Sequence, residues 1–379
     1  MKKILILVLL FLFFIQIAQS QHRIRDFGVE IGVLSPGKLN AITDVAGIKV
    51  GHSTLIIGDS IRTGVTAVIP HSGNIFQEKV PAAVYIGNGF GKLSGSTQIN
   101  ELGNLETPII LTNTLSVATA MNAVIRYTLD MKGNEQVQSV NAVVGETNDG
   151  YLNDIRGQAV KIDNVISAIE NAREDNTEEG NVGAGTGTVS FGFKGGIGTS
   201  SRILPENLGG YTIGVLVQTN FGGVLQIAGV PVGKELKKFS FSNELLNNVD
   251  GSCMIVVATN APLDNRNLAR LAKRAFMGLA KTGGIASNGS GDYVIAFSTA
   301  PVMRIPHKIN SKLQKQEVVP NDLMSPLFMA AIEATEEAIL NSLFIAETTT
   351  GYKNHSIEAL PLKKVIEILK QYEAIKKLR

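Results

Sequence analysis

The chain has 379 residues, 44% of them hydrophobic, and its 35 Lys and Arg nearly balance its 33 Asp and Glu for a net charge of +2. This length and apolar content allow one large domain or two medium ones with a sizeable buried core. Acidic and basic residues are mixed along the chain, which indicates no binding surface for DNA, RNA or an acidic membrane. Cys253 is the only cysteine, which excludes a disulfide within the chain and leaves stabilisation to core packing.

The N-terminus has the pattern of a secretory signal peptide over residues 1–20. Two lysines precede an unbroken apolar run at 4–15, and small residues follow at Ala18 and Ser20. The run is shorter than the roughly 20 residues of a membrane-spanning helix. We therefore expect a periplasmic or secreted protein with no stable membrane anchor; the alternative is an uncleaved signal anchor.

The first half alternates predicted strands with two predicted helices. Short β-branched runs bounded by Gly, Pro and Asn favour strands, and apolar residues at helical spacing favour helices. The predicted strands are 48–57, 65–69, 82–86, 109–111 and 137–144, and the predicted helices are 115–131 and 160–172. An acidic loop at 174–179 ends this half of the chain.

A glycine-rich stretch over residues 181–200 predicts a close approach of the backbone to a neighbouring strand or to a ligand. A predicted strand at 211–219 comes after it. Residues 234–249 are polar and weakly patterned, as in an exposed linker that can be cut without loss of a core element.

The last third has a simpler alternation of strands and helices. The predicted elements are a strand at 253–259, a helix at 264–281, a strand at 293–298, a helix from Ser325 to about residue 344, and a last helix after Pro361. The many non-alternating strands favour an α+β fold of layered sheets and helices, without a visible domain boundary.

Several familiar chemistries are disfavoured by the motifs. Gly183 and Gly185 resemble the start of a dinucleotide fingerprint, but Thr188 stands where its third glycine belongs. The sequence has no Walker A loop and no HExxH or other paired-histidine spacing. No serine has glycines two residues away on both sides, as a hydrolase nucleophile elbow requires. We therefore predict neither a cofactor nor a metal.

A candidate self-cleavage site lies at the bond between Gly251 and Ser252, directly before the predicted strand at 253–259. If this bond breaks, Ser252 becomes a chain terminus with its hydroxyl nucleophile and its free α-amine on one residue. Taken alone, a Gly-Ser pair before a strand is usually a turn. Residues at other predicted strand ends strengthen the catalytic interpretation.

Ser290 and Asp292 precede the strand at 293–298, where a hydroxyl bonded to a carboxylate could relay or orient a proton. Asn220 ends the strand at 211–219, and its amide could donate to an oxyanion. Glu146 follows another predicted strand and could pair with a substrate ammonium. For each of these residues a polar turn or a solvated loop remains the alternative.

Taken together, these stretches resemble the DmpA family of N-terminal nucleophile hydrolases, the group of L-aminopeptidases/D-esterases and β-peptidyl aminopeptidases. The resemblance covers nearly the whole mature chain. It is carried by residues 40–45, 50–52, 62–67, 111–114, 183–202 and 250–252.

The resemblance implies that the precursor is cut into two associated chains, 21–251 and 252–379, which form one aminopeptidase domain. It implies that Ser252 is the nucleophile, that Ser290 and Asp292 are its partners, and that Asn220 is the oxyanion donor. Asp292 departs from the glutamate that the best-known members of the family have at this place. The resemblance also implies a homo-oligomer of the processed units and small peptides or aminoacyl amides as substrates.

Glu146 corresponds to the family residue that holds the substrate amine, and a family tyrosine near it could be Tyr151, although Asn148 competes for that place. The base could be the Ser252 α-amine, with an ordinary pKa of roughly 7.7 to 8.0, or the pair of Ser290 and Asp292.

Three alternatives to this interpretation remain from the sequence. Cys253 is a rival nucleophile, although its apolar neighbours predict a buried and inert thiol. Acyl transfer of the ornithine acetyltransferase type is a second possibility, but those enzymes use threonine. A non-catalytic secreted binding protein on the same scaffold is the third.

Overall fold

A computed structural model describes residues 22–241, 251–308 and 311–375. The predicted signal peptide lies outside the described residues, and so does much of the linker predicted at 234–249. Within the described part, no helix combines the length and the hydropathy needed to cross a membrane.

Two β-sheets form the centre of the fold. The smaller sheet has the order β1 (Lys49–Ile57), β2 (Ile61–Ile69), β6 (Ile109–Asn113), β7 (Val143–Thr147) and β4 (Leu93–Ser94). The larger has the order β10 (Ile197–Ile203), β11 (Thr212–Asn220), β12 (Ser252–Thr259), β13 (Gly291–Ser298), β3 (Glu78–Gly89) and β14 (Ile305–Pro306), with β5 (Asn104–Leu105) paired to β3. Two hairpins lie apart from these sheets: β8 (Val189–Ser190) with β9 (Phe193–Lys194), and β15 (Thr349–Thr350) with β16 (Ser356–Ile357).

Helices cover the outer face of each sheet. The described helices are α1 (Ser96–Leu102), α2 (Val117–Asp130), α3 (Ile162–Glu170), α4 (Val232–Glu235), α5 (Asn265–Lys281), α6 (Ser325–Ile345) and α7 (Leu362–Gln371). Helices α2 and α3 pack on the smaller sheet, and α5 and α6 pack on the larger one. The result is a four-layer arrangement of helix, sheet, sheet and helix.

The residue alternation along β12 shows how the sequence builds these layers. Cys253 and Ile255 join the core between the larger sheet and its helices. Met254 and Val256 join the core between the two sheets. A strand that is buried on both faces has no polar face, which is why this segment is a continuous apolar run.

Helix α6 is buried around most of its circumference and carries acidic side chains into the core. Arg202 on β10 is fully buried, with Nε 3.1 Å from Glu333 Oε2 and Nη2 2.7 Å from Glu337 Oε2. Arg25 from the N-terminal segment adds a second guanidinium at 2.7 Å from Glu337 Oε1. This network attaches the N-terminal segment and β10 to α6.

Most of the predicted elements are confirmed, with shifted ends. The predicted helix at 115–131 is α2, and the predicted helix at 264–281 is α5. The strand predicted at 137–144 is wrong over most of its length, because β7 begins only at Val143, where parallel pairing with β6 starts. Just before it, Asn141 donates its backbone N–H (2.8 Å) and its side-chain amide (2.9 Å) to Glu106 Oε1 instead of to a neighbouring strand.

Candidate active site

Ser252 is the first residue of β12 and lies between the ends of two neighbouring strands. The antiparallel register with β11 places Asn220 opposite Ser252, and the parallel register with β13 places Gly291 opposite it on the other side. The Ser252 hydroxyl donates to the Gly251 carbonyl oxygen at 2.6 Å. In the uncut chain, the hydroxyl is therefore in contact with the peptide group that it would have to attack.

The backbone amide of Gly291 lies beside the same group. Its N–H is 3.2 Å from the Gly251 carbonyl oxygen and 3.3 Å from Ser252 Oγ. An amide held in this position can stabilise negative charge that develops on the Gly251 oxygen.

Gly251 is required by close packing. A Cβ at this position would lie 2.7 Å from the Asn220 carbonyl oxygen and 2.7 Å from Phe221 Cα. The backbone φ angle of Gly251 is not positive, so it is the lack of space for a Cβ that requires glycine here. The end of β11 therefore packs directly on the bond that is predicted to be cut.

Asn220 has a fixed side-chain orientation. Its Oδ1 accepts a hydrogen bond of 2.9 Å from the backbone N–H of Val189, which leaves the Nδ2 amide as the donor end. Val189 belongs to the glycine-rich stretch predicted to approach another backbone closely. A Cβ on Gly185, in the same stretch, would lie 2.4 Å from the Ile197 amide nitrogen, so this prediction is confirmed for an approach to a neighbouring strand.

Ser290 and Asp292 form the predicted pair, and both are buried. The Ser290 hydroxyl donates to Asp292 Oδ1 at 2.8 Å. Burial raises the pKa of Asp292 to about 6, and the hydrogen bonds from Ser290 and the Cys253 backbone amide oppose the rise. Asp292 Oδ2 is buried and has no hydrogen-bond partner in the part of the chain that the structure describes.

The strand register determines which part of Ser252 the pair of Ser290 and Asp292 faces. Asp292 is opposite Cys253, one residue beyond Ser252, and residues opposite each other in a parallel pair share a face of the sheet. The Asp292 carboxyl therefore lies on the face of Cys253, while the Ser252 side chain points to the other face. The pair adjoins the backbone of Ser252 and Cys253, where the new α-amine would be.

Glu146 lies on β7, where the smaller sheet approaches β12. A Cβ on the preceding Gly145 would be only 2.3 Å from Met254 Cε. A Cβ on Gly91 would be 3.0 Å from Gly291 Cα and 3.4 Å from Glu146 Oε1. The Glu146 carboxylate is therefore about one small residue away from the strand end that adjoins Ser252.

Neutral donors hold both oxygens of the Glu146 carboxylate. The Lys92 backbone N–H donates to Oε1 at 3.0 Å, and the Thr114 hydroxyl donates to Oε2. The Lys92 ammonium lies 3.8 Å from Oε1. Sequence reasoning assigned no role to Lys92 or Thr114. Thr114 does belong to the motif at 111–114, which was the available signal.

Tyr151 and Cys253 differ from the other predicted residues in their surroundings. The Tyr151 ring is half-exposed and stacks on His355 with the centroids 4.3 Å apart, and His355 Nδ1 lies 2.8 Å from the Tyr151 carbonyl oxygen. The catalytic role of Tyr151 stays a prediction.

Burial, and then the charge of Asp292, raise the pKa of the Cys253 thiol well above its usual value, which disfavours Cys253 as a nucleophile.

Three solved structures are similar to this fold. A protein from Pyrococcus horikoshii OT3 has a TM-score of 0.86 and 49% identity, covering 93% of this chain and 99% of that one. A Burkholderia β-aminopeptidase has a TM-score of 0.85 and 38% identity, covering 94% and 100%. The L-aminopeptidase D-Ala-esterase/amidase from Ochrobactrum anthropi, described as a variant of the Ntn hydrolase fold, has a TM-score of 0.85 and 35% identity, covering 93% and 99%. The fold is therefore that of an N-terminal nucleophile hydrolase, and the predicted α+β layers are confirmed.

The sequence comparisons identify the family. The model of Peptidase family S58 matches residues 40–357. The beta-peptidyl aminopeptidase BapA of Sphingosinicella microcystinivorans is 41% identical over 374 residues, covering 93% of each protein. The BapA of Sphingosinicella xenopeptidilytica is 38% identical over 374 residues, covering 92% of this chain and 91% of the relative. The chain belongs to Peptidase family S58 and is an aminopeptidase of the N-terminal nucleophile type, as the motifs predicted.

Proposed function

We propose that the chain cuts itself between Gly251 and Ser252 and then uses Ser252 to release N-terminal residues from small peptides, amides or esters. The observation that carries the proposal is the contact of 2.6 Å between the Ser252 hydroxyl and the Gly251 carbonyl oxygen. The cut would divide the protein into residues 21–251 and 252–379.

Self-cleavage begins when Ser252 Oγ attacks the Gly251 carbonyl carbon. The Gly291 N–H stabilises the oxyanion of the tetrahedral intermediate. The C–N bond then breaks, and the hydroxyl proton passes to the departing nitrogen, which leaves Gly251 as an ester on Ser252. Water hydrolyses the ester to a Gly251 carboxylate and a free Ser252 hydroxyl.

Turnover repeats this chemistry on a bound substrate. Glu146 holds the substrate ammonium, and Ser252 attacks the carbonyl of the first residue. Asn220 Nδ2 stabilises the oxyanion, because Val189 already occupies Oδ1. The amine or alcohol leaves, and water releases the acyl group from Ser252.

The position of Asp292 supports the Ser252 α-amine as the general base. The pair of Ser290 and Asp292 lies on the backbone side of Ser252, where it can orient the amine and favour its protonated form after proton transfer. In the proposed mechanism the amine is the base and the pair supports it.

The names of the relatives support β-aminoacyl amides as the first substrates to test, beside α-aminoacyl amides. We also propose export through the signal peptide over 1–20 and assembly of processed units into a homo-oligomer. These two proposals are supported by the N-terminal sequence and by the family resemblance, respectively. The family membership disfavours acyl transfer and a non-catalytic binding role.

The test is Ser252→Ala, followed by denaturing electrophoresis and intact-mass analysis. The unchanged protein should give two fragments, one of them starting at Ser252, and should release p-nitroaniline from aminoacyl p-nitroanilides. Ser252→Ala should remain one chain without activity. Cys253→Ala is the matched control, because it changes the next buried residue and should be cut normally. A Ser252→Ala protein that is still cut at this bond would contradict the proposal.

A further inference from the structure

The Glu146 carboxylate is oriented without the help of a charge. The Lys92 backbone N–H and the Thr114 hydroxyl hold its two oxygens, and the side chain is only 3% exposed. Both donors are neutral, so the carboxylate keeps its position whatever the Lys92 side chain does.

The Lys92 side chain is a loosely held cation beside this carboxylate. Its Nζ lies 3.8 Å from Glu146 Oε1, and the side chain is 56% exposed. This distance is longer than a hydrogen bond, and a long contact to a lysine that is more than half exposed to solvent contributes little net free energy. The long flexible stem of lysine allows the ammonium to move into solvent.

We propose that Lys92 is an internal competitor for the substrate amine: its ammonium neutralises Glu146 in the free enzyme and must leave when the substrate ammonium binds. This proposal deepens the proposed function, because it assumes that Glu146 receives the substrate amine. Because the Lys92 ammonium must be displaced first, every cationic substrate binds more weakly by the free energy of that displacement. It is a residue that tunes affinity and does not touch the reacting atoms.

The test compares Lys92→Met, Lys92→Arg and Glu146→Gln in the processed enzyme at low salt. The first measurement is the inhibition constant of a simple alkylammonium ion, and the second is kcat and KM for an aminoacyl p-nitroanilide. Lys92→Met removes the charge and keeps the stem and the backbone N–H. It should lower the inhibition constant and KM about two- to fivefold, the size of a partly exposed ion pair, while kcat stays within about twofold. Lys92→Arg should restore the original values.

Lys281→Met is the matched control. Lys281 is 51% exposed and pairs with Glu336, which is 4% exposed, at 2.6 Å between α5 and α6. This pair has the same exposure pattern but no part in the proposed site, so its loss should leave the inhibition constant and KM unchanged. An uncharged analogue of the alkylammonium ion should bind equally to the original enzyme and to Lys92→Met.

The outcomes separate the two proposals. If Glu146→Gln weakens alkylammonium binding but Lys92→Met leaves it unchanged or weakens it, Glu146 is the amine site and Lys92 is not a competitor. If Glu146→Gln has no effect on alkylammonium binding, the assignment of Glu146 fails and the competition fails with it. Tighter binding in Lys92→Met, reversed in Lys92→Arg, supports both.

Discussion

Replacing Asn220 with Asp tests the oxyanion assignment with little change in shape. Asp can keep the hydrogen bond from the Val189 N–H, which is 2.9 Å long in the structure. The substitution then places an acceptor oxygen where the Nδ2 donor was, so a developing oxyanion meets repulsion instead of a hydrogen bond.

Loss of one oxyanion donor costs about 10²–10³ in kcat, or about 2.7–4 kcal/mol. Asn220→Asp should lose at least this much, because it adds repulsion to the lost donor. The loss in kcat for Asn220→Ala should be near the lower limit of this range, since it loses the donor without adding a charge. The donor acts mainly in the transition state, so KM should change little in either variant.

The assay is steady-state hydrolysis of an aminoacyl p-nitroanilide, with kcat expressed per processed molecule as counted by intact mass. Self-cleavage should be slowed less than turnover, because the Gly251 carbonyl accepts from the Gly291 N–H in the uncut chain. An Asn220→Asp enzyme whose kcat is within tenfold of the original would refute the assignment. So would a loss that appears only in KM.

Two further changes test the proton relay and the core. A kcat/KM profile should fall on the acid side with two titrating groups, because the proposed mechanism needs both the free Ser252 α-amine and the Asp292 carboxylate, and burial raises the pKa of Asp292 to about 6. Asp292→Asn should remove the steeper part of this fall, leave the part that belongs to the amine, and lower the plateau about 10²-fold or more. Arg202→Met should lower the free energy of unfolding by about 3–5 kcal/mol, as measured by urea titration. The reason is that Glu333 loses its guanidinium partner and Glu337 keeps only Arg25. A change in the free energy of unfolding below about 1 kcal/mol would contradict this.

The sequence predicted the strand ends of the site well, because polar residues at the ends of apolar runs are a local signal. Asn220 is the last residue of β11, Ser252 is the first residue of β12, and Ser290 and Asp292 flank Gly291, the first residue of β13. Each of these positions can be recognised from a few neighbouring residues.

The remaining features of the site depend on contacts between residues far apart in the chain. Thr114 and Lys92 reach Glu146 across 32 and 54 residues, respectively, and no local pattern predicts such pairs. The face of Asp292 depends on the strand register, because a slip of one residue would move its carboxyl to the face of the Ser252 side chain. The pair of Ser290 and Asp292 is therefore recognisable from the sequence, but the part of Ser252 that it faces is not.

The strand order explains how one cut can create a new terminus without separating the chains. In the larger sheet, β12 and β13 come after the proposed cut, whereas β11 and β3, which flank them, precede it. The backbone ladders on both sides of this central pair therefore join the two proposed chains. Breaking the Gly251–Ser252 bond removes one covalent link but leaves these ladders and the surrounding cores in place. Ser252 can thus become a free terminus while β11 and β13 continue to fix its position beside Asn220 and Gly291.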